Sequence, residues 1–90
     1  MAAARIIKVS GRVQGVFFRA STKNMADELN VKGFVRNEPD GSVYIEAEGD
    51  EASIKQFINW CKHGPRNARV DHCEVSETVV REFKEFIVRR

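Results

Sequence analysis

From Ile6 to Val13 apolar and polar positions alternate, with Ile7, Val9, Gly11 and Val13 on one side and Lys8, Ser10 and Arg12 on the other. Successive side chains of a strand point to opposite faces, so this run predicts a half-buried strand. Gln14-Gly15-Val16-Phe17 reads as a turn into a helix, along which Phe18, Thr22, Met25, Ala26 and Leu29 recur at helical spacing. Asn30 tolerates left-handed backbone and predicts the helix end. Two more alternating runs, Gly33 to Asn37 and Ser42 to Glu48, flank Pro39-Asp40-Gly41, and the second places Val43, Ile45 and Ala47 together. The tripeptide predicts a hairpin turn, because proline presets φ and glycine accepts a positive one. Asp50 is the expected N-cap of a second helix, with Glu51 in its first turn, Ile54, Phe57, Ile58 and Cys61 on one face and Gly64-Pro65 as its stop. A strand over Arg69 to Glu77 should turn Cys73 and Val75 inward, and a closing strand near Phe83 to Val88 should place Phe86 and Val88 on one side.

Strand, helix, hairpin, helix, strand is the split βαβ pattern of an α+β ferredoxin-like βαββαβ sandwich. One antiparallel sheet should carry both helices on one face and leave the other largely solvated. Ninety residues suffice for one core and not two, and the chain holds no repeat, linker or low-complexity segment. Residues 1–90 are therefore expected to form a single domain.

Charge narrows the partners. Fifteen basic and 13 acidic side chains leave a formal net charge of +2, and they are interspersed, which argues against a large nucleic-acid or membrane footprint. No apolar run approaches the ~18 residues of a membrane span, and Met1-Ala2-Ala3-Ala4-Arg5 lacks the apolar stretch of a secretory signal. The expectation is a cytoplasmic monomer. Cys61 and Cys73 form no Cys-x-x-Cys pair and have no histidine at ligand spacing, so two buried thiols are expected, with no disulfide and no metal.

The first helix opens with the wrong charge. Arg19 and Lys23 sit near its start and no acid appears before Asp27, whereas Asp50 and Glu51 open the second helix as the macrodipole favours. Such an end suits an anion: a tight loop at Gly15, the helix amides and a guanidinium together make a concave phosphate site. Arginine fits because its planar fork donates paired hydrogen bonds to phosphate oxygens. On residue types alone, the same stretch also reads as a plain strand-to-helix turn with a solvated Arg19, and Asn37 as a turn residue. Gly11-Arg12-Val13-Gln14-Gly15 lacks the Gly-Lys-Ser/Thr of a nucleotide P-loop and the three glycines of a dinucleotide fingerprint.

SGRVQGVFFRA over Ser10 to Ala20, GFVRN over Gly33 to Asn37 and the PDGSV that follows resemble the signature of the acylphosphatase family. The likeness extends through AEGDEASIKQFINWCKHGP and ARVDHCEV, nearly the whole chain. It implies a hydrolase of small acyl phosphates such as acetyl or carbamoyl phosphate, with inorganic phosphate as product and inhibitor and no cofactor. Arg19 would bind the phosphoryl group, Asn37 would orient the attacking water, and the backbone amides of Gly15, Val16, Phe17, Phe18 and Arg19 would cradle the phosphate. The final strand, Phe86-Ile87-Val88-Arg89-Arg90, departs from the family pattern, so the resemblance leaves open whether the chain's end contacts Arg19.

These residue types suit that chemistry. The carboxylate of an acyl phosphate departs without protonation, so no strong general acid is required, and the loose transition state depends on positioning and electrostatics. Asn37 accepts no proton near neutral pH; it would aim water by hydrogen bonds while the phosphate takes up the proton. His63 is expected to complement the second helix's C-terminus, His72 to face solvent and Trp60 to cover the core edge. Lys32-Gly33-Phe34-Val35 faintly echoes an RNA-recognition sheet motif, but Glu46 and Glu48 would share the face of Tyr44 and repel phosphates. A non-catalytic acylphosphatase-like domain, of the kind found in larger carbamoyl-transfer maturation proteins, is a second alternative; a metal carrier of similar architecture lacks its paired cysteines.

Overall fold

The computed structural model describes residues 2–90. The elements run β1 (Ala2–Arg12), α1 (Phe18–Leu29), β2 (Lys32–Asn37), β3 (Val43–Asp50), α2 (Glu51–Cys61), β4 (Arg69–Glu77) and β5 (Phe86–Val88). They build one sheet in the order β4-β1-β3-β2-β5. Among the first four strands each neighbouring pair is antiparallel, which gives the ferredoxin-like βαββαβ core, while β5 lies parallel to β2. The sheet is thus mixed where a purely antiparallel one was expected. The reason is topological: β4 runs opposite to β2, and the chain reverses once while crossing from one sheet edge to the other, so it arrives beside β2 in the same sense.

Both helices cover the face carrying Ile7, Val9, Val35, Val43, Ile45 and Ala47, and they contribute Phe18, Ala26, Ile54, Phe57 and Cys61 to the core. Phe86 of β5 closes it, edge-on to Phe57 with ring centroids 5.9 Å apart. Each large apolar side chain so buried contributes roughly 1.5–3 kcal/mol. Thr22, on the apolar stripe of α1, is reconciled with burial by donating its hydroxyl to Phe18 O at 2.7 Å. Asn30 ends α1 with φ 58° and Asp50 caps α2, both as the sequence predicts.

The alternation fails at three places. At Gly11 the ladder to β4 shifts register, so Gly11 is exposed rather than inward, and β1 ends at Arg12. Val75 is exposed and Cys73 only half-buried, because β4 is an edge strand and the helices pack chiefly over β1, β2, β3 and β5. The closing strand covers Phe86–Val88 alone; Phe83 belongs to the crossing, and Val88, on the same side as buried Phe86, is left exposed at the sheet's edge.

That crossing, residues 78–85, also overturns the solvated second face. Thr78 N–H donates to Ala4 O at 3.3 Å, and Glu48 accepts from Arg81 N–H at 2.8 Å and from Phe83 N–H. The Arg81 guanidinium lies 3.5 Å from Glu46, whose carboxylate also accepts from Tyr44 OH at 2.8 Å. The Phe83 ring meets Phe34 edge-on at 5.9 Å. Glu46 and Glu48 are buried as a result, which the sheet tolerates because each carboxylate is supplied with donors.

Candidate active site

Between β1 and α1 the backbone turns twice into left-handed space. Gly15 has φ 75°, and Phe17, the N-cap of α1, has φ 61° and ψ 25°. A phenylalanine there is uncommon and costs on the order of 1 kcal/mol relative to a favoured region. Two anchors hold it: Ser21 N–H closes the first helical bond onto Phe17 O at 3.0 Å, and the next side chain, Phe18, is fully buried against Trp60. Gly64 contributes to that seat, since a Cβ at this position would come within 2.6 Å of the Phe18 ring.

The N-terminus of α1 has no internal cap. Phe17 offers no side-chain hydrogen bond and the first turn contains no acid, so the leading amides of the helix lack both a side-chain acceptor and a compensating charge. A cavity of about 290 Å³ opens at this helix end, lined by Val13, Gly15, Phe17, Phe18, Arg19, Ala20, Asn37 and Val88. Of the residues singled out by sequence, Gly15, Phe17, Phe18, Arg19 and Asn37 therefore meet in one place. Val16 does not line it; its side chain is buried in the core.

Arg19 is aimed by the other end of the chain. Its Nη1 donates to the carbonyl of Arg89 at 2.8 Å, a contact that the family resemblance left open. Arg89 is itself placed by its N–H, which donates to Val35 O at 2.8 Å and continues the β2–β5 ladder.

Asn37 ends β2 opposite Val43, and its Oδ1 is buried without a hydrogen-bond partner among the described residues. An unpaired buried carbonyl oxygen costs roughly 1–3 kcal/mol, and this one retains its capacity to accept a hydrogen bond. The turn beyond Asn37 is tightly tied. Glu38 N–H donates to Ser42 O at 2.8 Å, and Asp40 Oδ1 accepts from Ser42 N–H at 2.9 Å and from its hydroxyl at 2.6 Å. Those bonds, with Lys8 nearby, hold the Asp40 carboxyl down at about 2.

Gln14 joins the two halves. Its Nε2 donates to Glu38 O and to Ser42 O, both at 2.9 Å, and so couples the loop before α1 to the hairpin that carries Asn37. Sequence reasoning passed over Gln14, Val13, Ala20 and Val88. Only adjacency to the Gly15 loop could have drawn attention to the first three, and Val88 enters through the long crossing to β5. His63 does complement the end of α2, its Nδ1 lying 3.0 Å from Asn59 O. His72 is exposed, and Trp60 covers the core edge over Phe18.

The acylphosphatase family model matches residues 5–88 of this chain. An acylphosphatase from Methylococcus capsulatus is 49% identical over 85 residues, 93% of this chain and 92% of that protein. The solved acylphosphatase of Coxiella burnetii superposes with a TM-score of 0.94 at 39% identity, over 98% of this chain and 93% of that one. A full-length HypF, solved in a phosphate- and nucleotide-bound form, carries a similar unit: TM-score 0.89 at 36% identity, over all of this chain but only 12% of HypF. With likeness this extensive in both sequence and backbone, the chain belongs to the acylphosphatase family and is a hydrolase of acyl phosphates.

Proposed function

We propose that Arg19 and the amides of Gly15 to Arg19 bind the phosphoryl group of a small acyl phosphate, and that Asn37 orients the water that attacks it. The observation carrying this reading is the unpaired Oδ1 of Asn37 in the same cavity as Arg19 and the uncapped end of α1. A water donating one O–H to Asn37 Oδ1 keeps a lone pair free to point at phosphorus. As the new P–O bond forms, the bond from phosphorus to the acyl oxygen breaks and the carboxylate leaves with its electron pair. The proton shed by the water passes to a phosphoryl oxygen, giving inorganic phosphate. Arg19 and the loop amides stabilise the equatorial oxygens, whose charge is spread in the loose transition state.

A cavity of about 290 Å³ suits acetyl or carbamoyl phosphate better than a nucleotide. Inorganic phosphate, which presents the same oxygens, is proposed as a competitive inhibitor, and the reaction as proceeding in chelator without added metal. The segment over the second sheet face leaves no stacking platform at Phe34, which supports a reading without nucleic-acid partners. Among the described residues no helix is long and apolar enough to cross a membrane. The free thiols of Cys61 and Cys73 suit a reducing compartment, and we place the protein in the cytoplasm as a monomer.

The test is phosphate release from acetyl phosphate in chelator. Arg19→Ala should lose roughly a hundred-fold or more in kcat/KM, as on removing an oxyanion donor. Asn37→Ala should lower kcat while the inhibition constant of inorganic phosphate stays near wild type. Undiminished turnover in either variant removes that residue from the mechanism.

A further inference from the structure

Arg89 reaches both faces of the sheet. Its backbone carbonyl accepts from Arg19 Nη1 at 2.8 Å on the cavity side, while its guanidinium carbon lies 3.9 Å from the ring centroid of Phe34 on the opposite face. A cation centred over an aromatic ring at this distance is attracted by the ring quadrupole. Phe34 is a rigid seat for it. The ring is nearly fully buried, set edge-on against Phe83 at 5.9 Å and beside Tyr44 at 6.0 Å, and Glu48 clamps the backbone of the Phe83 segment. Arg36 approaches the same ring only at 5.6 Å and lies closer to Tyr44, at 4.5 Å, leaving the Phe34 face to Arg89.

The geometry points to Phe34 and Arg89 as a positioning pair: the ring seats the Arg89 side chain and so fixes the carbonyl that aims the Arg19 guanidinium at the phosphoryl group. This rests on the proposed role of Arg19 as phosphate ligand. It assigns functional work to two side chains on the sheet face turned away from the cavity. β5 has only three residues and lies at an edge, so its backbone pairing alone holds the Arg89 carbonyl loosely, and the side-chain anchor narrows its range.

Arg89→Met keeps the carbonyl and removes the cation; Phe34→Leu keeps apolar bulk and removes the ring. Each should lower kcat/KM for acetyl phosphate about two- to five-fold, the scale of an exposed cation–π contact. The dissociation constant of inorganic phosphate, read by calorimetry and hence independent of turnover, should rise by a similar factor. The double variant should be no worse than the poorer single one. In an Arg19→Ala background, Arg89→Met should change nothing further, whereas a merely structural loss would persist there. Wild-type phosphate affinity in Arg89→Met, losses that multiply in the double variant, or a loss that survives in the Arg19→Ala background would each overturn the pairing. Failure of the underlying reading looks different: Arg19→Ala would then bind phosphate as tightly as wild type.

Discussion

The two helices of this protein begin on the same sheet and start in opposite ways. At α2, Asp50 accepts from Ala52 N–H at 3.2 Å and Glu51 adds a negative charge in the first turn. At α1, Phe17 stands in left-handed backbone with no side-chain oxygen to offer, the first turn has no acid, and Arg19 adds positive charge. One end is satisfied by its own sequence; the other is left open by it. On the proposed reading, the difference separates a helix start built for stability from one that gives up stability to hold an anion.

The comparison is broken most sharply by giving α1 its own acid. Ala20→Glu places a carboxylate in the first turn, beside the cavity. Inorganic phosphate should bind roughly tenfold more weakly, because two like charges at contact distance repel by about 1–4 kcal/mol at a protein surface. The same substitution should raise the thermal midpoint slightly through the helix dipole, so calorimetric titration and melting would move in opposite directions. The converse is Asp50→Ala, which removes the cap of α2 and should cost about 1 kcal/mol in denaturant unfolding while leaving acetyl phosphate turnover at wild-type level. The smallest effect concerns the hairpin that carries Asn37. The Asp40 carboxyl is lowered from 3.8 to about 2, first by the Ser42 hydroxyl and then by the Ser42 amide and Lys8. A depressed carboxyl stabilises the fold above its unfolded value and ceases to do so as pH falls through its folded one. The difference in melting between wild type and Asp40→Asn should therefore hold steady above about pH 4 and vanish on descending through about pH 2.

Much of this molecule is legible in its residues because the signals are local. The caps at Asn30 and Asp50, the hairpin at Pro39-Asp40-Gly41 and the stripes facing the core each depend on neighbours within a few positions. What escaped depends on backbone groups far along the chain. Glu46 and Glu48 look like solvent-facing residues of an amphipathic strand, yet Glu48 is satisfied by amides 33 and 35 residues away. Arg19 finds a carbonyl 70 residues away, and Gln14 finds carbonyls 24 and 28 residues away. Every residue carries an N–H or a C=O, so such partners leave no mark in the side-chain pattern. The misplaced charge at α1 and the family likeness drew attention to Arg19 and Asn37, which line one cavity; the hydrogen bonds that brace them left no such signal.

The brevity of β5 has a consequence for how the protein fails. A three-residue border strand frays at far lower free energy than the core it flanks, and hydrogen exchange would register that opening long before global denaturation. Each such excursion releases the guanidinium partner, so inactivation on warming should precede melting, and enzyme output reports the weakest seam of the molecule, not its average strength.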